Sequence, residues 1–325
     1  MQATAVAHPI QGLVKYHGMR DPRRRFPYHD SISVCTAPSR TVTTVAFESD
    51  LRDDRFVVDG SELHGRGADR LARVIDAVRA RVGRAGDPVR LESESSFPTN
   101  VGLGSSSSGM AAAAVATAGA AGADLGRREL SGIARLGSAS AARSVTGGFS
   151  LLPGGADEST CRARRLESQL EDILRIVVAV VPSYKETEDA HAEAPESHMF
   201  DARLAHVHHQ LAEVRAGLAT GDFDRTFACA EADSISLAAT TMTGPNGWIY
   251  WQPTTLEVFE TVRELRADRD IPAYFSTDTG ASVYVNTTVD HADAVADALS
   301  SCDLQSVEVW EVGGPARLDP DRALF

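Results

Sequence analysis

Phe97-Pro98-Thr99-Asn100-Val101-Gly102-Leu103-Gly104-Ser105-Ser106-Ser107-Ser108-Gly109-Met110, followed by four alanines, is the stretch on which the reading of this chain turns. Ahead of it, Val89 to Ser96 reads as a strand. The strand runs into a short loop of glycine and serine, and the loop runs directly into an Ala-rich helical segment. Glycine lets a backbone approach a ligand closely. A helix N-terminus presents N–H groups without intrahelical partners and a partial positive charge. Together they form an anion site, and the serine hydroxyls add donors and possible Mg²⁺ ligands. No Lys-Ser/Thr pair follows the glycines, so this is not a Walker A loop. On the residues alone two readings stay open, a phosphate-binding loop and a flexible linker before a helix. The position between a strand and a good helix argues against the linker.

Outward from this loop, the first hundred residues are strand-rich. Alternating or β-branched runs lie at Thr4–Ala7, Ser31–Cys35, Thr41–Phe47, Arg55–Val58 and Val89–Glu94. One helix, Ala68 to Arg84, interrupts them, with Leu71, Val74, Ile75, Val78 and Val82 at helical spacing. Helices are predicted at about Ser107–Ala120 and Arg127–Ala142. Ile176–Pro182 is a continuous apolar run and reads as a buried strand. Tyr184 to Glu196 is polar and acidic and reads as a loop over an active site. Helical patterns follow at about Phe200–Ala219, Phe223–Ala238 and Thr255–Arg266, and a further helix near Ala292–Leu299. Strands are expected at Ala273–Phe275, Ser282–Asn286 and Ser306–Glu311. The pattern predicts two α+β domains that divide near residues 175–185.

Two clusters carry alternatives. Arg23-Arg24-Arg25 follows Pro22 and reads either as a solvated turn or as long-range attraction for a polyanionic substrate. His206, His208 and His209 suggest a metal, but only His206 and His209 share a helix face, and a surface or interface patch is the simpler reading. The four cysteines, Cys35, Cys161, Cys229 and Cys302, lie far apart without a C-x-x-C pair and read as buried, reduced thiols.

The loop also carries a resemblance. Pro98-Thr99-x-x-Gly102-Leu103-Gly104-Ser105-Ser106-Ser107 resembles the P-x-x-x-G-L-x-S-S-[SA] motif on which the GHMP small-molecule kinases bind ATP phosphates. Three more segments resemble the mevalonate diphosphate decarboxylases within that superfamily. They are Gly12-Leu13-Val14-Lys15-Tyr16-His17-Gly18-Met19-Arg20-Asp21 with Ser31-Ile32-Ser33-Val34, Arg135-Leu136-Gly137-Ser138-Ala139-Ser140-Ala141-Ala142-Arg143-Ser144 closed by Gly147-Gly148-Phe149, and Ala273-Tyr274-Phe275-Ser276-Thr277-Asp278-Thr279-Gly280. The four keep order and approximate spacing over roughly residues 3–290.

The resemblance implies an α+β GHMP kinase fold. It would have a ribosomal-protein-S5-like N-terminal domain, residues 1–180, and a ferredoxin-like C-terminal domain, residues 181–325. It implies ATP as cosubstrate with Mg²⁺, a small-molecule substrate and a homodimer. Asp278, which alone reads as a turn or cap residue, would sit beside the substrate's 3-hydroxyl and assist its attack on the γ-phosphate. Arg143, taken to end a helix and so otherwise a dipole-compensating residue, would contact the substrate carboxylate. Ser138 and Ser140 would bind the substrate phosphate. Lys15 and Tyr16, leaving the first strand on one side, would contact substrate. Gly102, Leu103, Gly104, Ser105, Ser106 and Ser107 would hold ATP, with Ser106 on the γ-phosphate and Mg²⁺. The implied reaction phosphorylates a tertiary hydroxyl, then expels that phosphate as CO₂ leaves and an alkene forms.

Two positions depart from the family. It carries K-Y-W-G-K where this chain has Lys15-Tyr16-His17-Gly18-Met19, and a thioether makes no charge-assisted bond to phosphate. A second basic contact of some members falls at about Thr187–Ala190, where Lys185-Glu186-Thr187-Glu188-Asp189-Ala190-His191 is acidic. Both point to a substrate with one phosphate fewer, mevalonate 5-phosphate, and to isopentenyl phosphate as product. The diphosphate as substrate, or a 3-kinase that stops at phosphorylation, are the alternatives.

Composition bounds the setting. The chain has 325 residues, 43% hydrophobic, enough for two domains sharing a substantial core. No apolar run approaches a membrane span, and no basic-then-apolar leader opens the chain, so a cytoplasmic enzyme is expected. A net charge of −13 disfavours nucleic acid or an anionic membrane as partner. Lys15 and Lys185 are the only lysines, and the other 30 basic residues are arginine, against 45 acidic ones. A GC-rich genome replaces Lys with Arg, but the acid excess favours adaptation to a salt-filled cytoplasm. Screening falls from about 30 Å at 0.01 M salt to about 3 Å at 1 M, so carboxylate repulsion should weaken with salt. The melting temperature is therefore expected to rise steeply between about 0.1 and 2 M KCl, with activity following it, whereas an isotonic neutral osmolyte should not reproduce the rise. Equal stability and activity without salt would contradict this.

Overall fold

The computed structural model describes residues 1–98, 102–182 and 191–325. The strands before the serine loop are β1 (Gln2–Ala7), β2 (Ile10–Val14), β3 (Met19–Asp21), β4 (Phe26–Pro27), β5 (Ser31–Ala37), β6 (Thr41–Phe47), β7 (Arg55–Val58), β8 (Ser61–Glu62) and β9 (Val89–Ser95). After it come β10 (Phe149–Leu152), β11 (Arg164–Arg165), β12 (Leu174–Val180), β13 (Tyr274–Ser276), β14 (Val283–Thr288), β15 (Ser306–Val312) and β16 (Arg317–Leu318). One six-stranded sheet runs β16-β1-β6-β9-β7-β8, an eight-stranded sheet runs β11-β10-β5-β15-β12-β14-β13 with β2 paired to β5, and β3 and β4 form a small ribbon. The architecture is mixed α+β, as expected. The eight-stranded sheet joins early and late strands, because Thr36 and Ala37 of β5 pair with Val312 and Glu311 of β15. Its core is equally mixed, packing Leu13, Ile32, Val34 and Phe149 with Ile176, Val178, Val180 and Trp310.

The expected buried strand at residue 176 is β12. Ile176, Val178 and Val180 face α6 (Phe200–Thr220) and α7 (Phe223–Met242), while Val177 and Ala179 face α8 (Pro253–Arg269) and α9 (Ala292–Leu299). A strand covered on both faces carries apolar residues without alternation. The α6–α7 hairpin was legible from its punctuation. Gly221 ends α6 at φ 71°, in the left-handed region. Asp222 then caps α7 by accepting the Arg225 N–H at 3.0 Å.

Three helix expectations need correction. The helix predicted from Ser107 is α2 (Ser105–Ala121), which starts two residues earlier, so Ser105–Ser107 form its first turn. Alanine fills this helix because it is buried nearly all round, and small side chains let it lie close to the first sheet. The predicted helix 127–142 is two helices, α3 (Arg127–Gly137) and α4 (Ala141–Thr146). Ser138 is extended, at φ −155° and ψ 128°, and its hydroxyl bonds that of Ser140 at 2.8 Å. Arg70, on α1 (Gly65–Val82), takes the freed Gly137 carbonyl at 2.7 Å. Serine hydroxyls that bond locally compete with helical backbone pairing, which breaks the helix here. Arg143 therefore sits within α4 rather than at the end of a long helix. Lys15 and Tyr16 likewise follow the second strand, β2, not the first.

One polar network lies between β2 and the α6–α7 hairpin. Asp233 of α7, 1% exposed, accepts the Lys15 backbone N–H at 2.9 Å. Its other oxygen pairs with Arg203 of α6 at 3.1 Å, and Arg203 also donates to the Lys15 carbonyl at 2.7 Å. The Lys15 ammonium stands 3.7 Å from Asp233 and donates to Ser234 and Ser276 at 3.0 Å each. One buried carboxylate thus compensates two buried cations. Removing one member of such a set leaves uncompensated charge in a medium that cannot solvate it, a loss of about 3–5 kcal/mol. Asp233→Asn is expected to destabilise the chain by that amount in chemical denaturation. A loss under about 1 kcal/mol, the worth of an exposed pair, would show that the network is not the electrostatic centre of this seam.

Candidate active site

The glycine–serine loop is held from behind. Gly104 has φ 74°, and a Cβ there would lie 2.8 Å from the Ile10 carbonyl oxygen. Gly102 has φ 96°, and a Cβ there would lie 3.2 Å from the Gly280 Cα. Both positions require glycine, for left-handed backbone and for close approach. The serines divide. Ser105 and Ser106 line the cleft with Gly102, Leu103 and Gly104. Ser107 is buried; it donates to the Gly104 carbonyl at 2.6 Å and accepts the Ile10 N–H at 3.2 Å. Its hydroxyl ties the helix to β2, and unlike Ser105 and Ser106 it does not line the cleft. Ser108 bonds Thr41 at 2.7 Å in the same way. No side chain caps the N-terminus of α2, whose first two residues, Ser105 and Ser106, line the cleft. Thr99, Asn100 and Val101 lie outside the described residues.

Opposite the loop stands Asp278, in the turn between β13 and β14. The turn is pinned at Thr277, whose N–H donates to Ser234 at 3.2 Å and whose hydroxyl accepts the Trp251 indole N–H at 3.2 Å. A Cβ on Gly12 would meet Lys15 Cγ at 2.6 Å and Asp278 Oδ1 at 2.8 Å. The strand can bring lysine and carboxylate together only because residue 12 has no side chain. Burial pulls the Lys15 ammonium below its ordinary range, while Asp233 and then Asp278 hold it up.

The third wall comes from the broken helix. Ser138 and Ser140 line the cleft, and Arg143, 2% exposed, reaches it from α4. The Arg143 guanidinium bonds the Ser31 hydroxyl and lies 5.5 Å from the Tyr16 ring centre. Burial lowers its pKa, with Tyr16 and Asp278 opposing. Tyr16 stacks on His191 at 5.1 Å and 16°. The open cleft enclosed by these walls has a volume of ≈ 270 Å³.

Lys15, Tyr16, Gly102 to Ser106, Ser138, Ser140, Arg143 and Asp278 are thus brought to one cleft, and Ser107 is not. Met19 turns instead toward an apolar cluster of Phe26, Ala139, Ala142, Leu152 and Cys161. His206, His208 and His209 are exposed on α6, outside the cleft. The acidic stretch 184–190 lies outside the described residues; His191, just after it, lines the cleft. Sequence reasoning missed Arg70 and the Asp233–Arg203 pair. Arg23-Arg24-Arg25 was left between a solvated turn and attraction for a polyanion; Arg25 is 6% exposed and lines the cleft, whereas Arg23 and Arg24 are exposed. A signal for Asp233 existed. Phe223, Thr226, Phe227, Ala230, Leu237 and Thr241 mark the inward stripe of α7, and Asp233 and Ser234 fall on it. Polar groups at core positions of an amphipathic helix are buried and must be partnered.

Residues 7–163 match the model of the diphosphomevalonate decarboxylase-like N-terminal domain. The chain is 61% identical to the phosphomevalonate decarboxylase of Haloferax volcanii, over all of both chains. Its fold is similar to the mevalonate diphosphate decarboxylase of Staphylococcus aureus, with a TM-score of 0.91 and 28% identity over 98% of each chain. It is equally similar, at 0.91 and 28%, to a structure holding MVAPP, AMPPCP and magnesium, over 98% of this chain and 99% of that one. With a relative this similar from end to end, and with the loop, carboxylate and cations gathered as described, the chain belongs to the family of mevalonate phosphate and diphosphate decarboxylases.

Proposed function

We propose that the chain decarboxylates mevalonate 5-phosphate with ATP, giving isopentenyl phosphate, ADP, phosphate and CO₂. The observation that carries this reading is the meeting of a phosphate loop, a carboxylate and two buried cations in one cleft. The monophosphate is favoured over the diphosphate by the full-length likeness to the Haloferax enzyme and by Met19, which offers packing where a charged side chain would offer a phosphate contact. The homodimer and the cytoplasmic location implied by the resemblance belong to the same proposal.

Each residue then has a role that its position supports. The N–H groups of α2 and the Ser105 and Ser106 hydroxyls receive ATP phosphates. Asp278 orients the 3-hydroxyl and takes its proton as the oxygen attacks the γ-phosphorus, and ADP leaves with the electron pair of the broken bond to its bridging oxygen. Lys15, Arg143 and the helix terminus neutralise charge where phosphates converge. Arg143 holds the carboxylate in the forked geometry a guanidinium suits. As the 3-phosphate departs with its bonding electrons, the C–C bond to the carboxylate breaks. Its electron pair becomes the alkene, and CO₂ is released. The donor set fits magnesium: the Ser105 and Ser106 hydroxyls and the Asp278 carboxylate are hard oxygen donors, and among the described residues no thiol lines the cleft. Bound there with ATP, the ion would neutralise phosphate charge. Among the described residues no group of three His, Cys, Asp or Glu side chains forms a metal cage, so such an ion would draw most ligands from ATP and water.

CO₂ release in molar KCl with ATP and magnesium tests the reading. Mevalonate 5-phosphate is expected to outpace both mevalonate and mevalonate 5-diphosphate. Asp278→Asn should lower kcat by at least about 10³-fold while ATP still binds, since a positioned carboxylate contributes on the order of 10²–10⁴. Equal or faster turnover of the diphosphate would overturn the substrate assignment. An Asp278→Asn variant keeping a tenth of the rate would remove the carboxylate from the mechanism.

A further inference from the structure

We propose that Ser234 is the positioning residue of this site, its single hydroxyl holding the Lys15 ammonium and the turn that carries Asp278 at a fixed spacing. The inference rests on the function proposed above. Ser234 is 1% exposed and stands behind the cleft wall rather than on it, so it acts through the two groups it holds.

The argument begins with what one hydroxyl can do. It has one hydrogen to give and two lone pairs to offer. The Ser234 hydrogen goes to the Ala230 carbonyl at 2.9 Å, which is nearer than the Ser276 hydroxyl at 3.4 Å. Thr226 and Thr240 of the same helix also donate to the carbonyl four residues back. That bond alone therefore marks nothing. The lone pairs set Ser234 apart. One receives the Lys15 ammonium at 3.0 Å, and the other receives the Thr277 N–H at 3.2 Å. These donors lie 219 and 43 positions away along the chain. Each bonding direction of the hydroxyl is thus in use, and helix α7 sets its orientation.

Both donors belong to groups with a task at the reacting oxygen. Lys15 would neutralise phosphate charge there, and Asp278 would take the proton. Each task needs contact distance, and a misplacement of about 1 Å can cost about 10²-fold in rate. The ammonium is held by Ser234 and by Ser276, at 3.0 Å each, with Asp233 at 3.7 Å. Ser276 is fixed in turn by donating to the Gly12 carbonyl at 3.1 Å. On the other side, Thr277 is held twice, at its N–H by Ser234 and at its hydroxyl by the Trp251 indole N–H. The residue directly before Asp278 therefore cannot shift without breaking a bond to the atom that also holds Lys15. Alanine would fill nearly the same space and favours a helix more, so the oxygen at 234 serves these two donors rather than the packing.

The test reads rate and local order separately. Ser234→Ala should lower kcat with mevalonate 5-phosphate about 10- to 100-fold, the range for displaced reacting groups. KM for ATP and for mevalonate 5-phosphate should stay within about threefold, because the loop at α2 and the Ser138–Ser140 wall are untouched. Ser234→Thr keeps the hydroxyl on the same carbon and should recover kcat to within about threefold of the unaltered protein. A second measurement needs no substrate. In a Lys185→Arg background, NMR at one fixed pH follows the hydrogens of the Thr277 amide and of the single remaining lysine ammonium as they exchange with water. Both should exchange at least about tenfold faster in Ser234→Ala, and neither in Ser234→Thr, while the β12 amides keep their protection. The proposal is overturned if kcat in the Ala variant stays within about threefold of the unaltered rate. It is also overturned if only one of the two groups exchanges faster, or if β12 loses protection in step, since that marks general loosening. Failure of the unaltered protein to turn over mevalonate 5-phosphate would instead reject the function, and the exchange measurement would still judge whether Ser234 holds both groups.

Discussion

A lysine ammonium held out of water, with a carboxylate to answer it, is the constraint on which the rest of this molecule depends. Lys15 is 5% exposed, and its charge is met by Asp233 from α7 and by the hydroxyls of Ser234 and Ser276. Those partners come from parts of the chain more than two hundred residues away. The charge can therefore be buried only when β2, the α6–α7 hairpin and β13 are assembled around it. The same assembly brings Asp278 against Gly12 and Gly280 against Gly102. The loop, the carboxylate and the lysine thus share one set of close backbone contacts.

Charge distribution separates the surface from the site. The chain carries a net −13, yet among the described residues Lys15, Arg25, Arg70 and Arg143 line a cleft with Asp278 as the acidic member. An acidic surface suits solubility in salt, but it offers a phosphorylated substrate no long-range attraction. At about 1 M salt, screening confines electrostatics to about 3 Å in any case. Selection must then rest on direct contacts inside the cleft, where water and ions are displaced and each guanidinium counts in full.

What the sequence made legible was local. Glycine and serine spacing marked a loop that runs straight into a helix, the run at 176–182 marked a strand covered on both faces, and Gly221-Asp222 marked a helix stop and start. The break at Ser138–Ser140 was not legible, because alanine and serine tolerate a helix, and the break depends on Arg70 reaching the Gly137 carbonyl from another helix. The arginine run stayed between two readings for a similar reason. A run of arginines looks solvated until Arg135, over a hundred positions later, is seen beneath it. Strand β2 escaped because it is buried along its whole length and shows no alternation. Asp233 left a trace, a charge on an inward helical stripe, but its partners are set by tertiary packing alone.

The central claim is that Lys15 stays charged while buried, and the chain's own composition allows a direct measurement. Only Lys15 and Lys185 are lysines, so Lys185→Arg leaves one lysine side chain in the protein. With ¹³Cε-labelled lysine, the single remaining NMR signal reports the Lys15 ionisation across a pH titration. The account predicts an ammonium signal at neutral pH that titrates with a midpoint below the ordinary lysine value of 10.5, and a midpoint that falls further in Asp233→Asn. A neutral amine at pH 7, or a midpoint at the ordinary value that ignores Asp233→Asn, would contradict it.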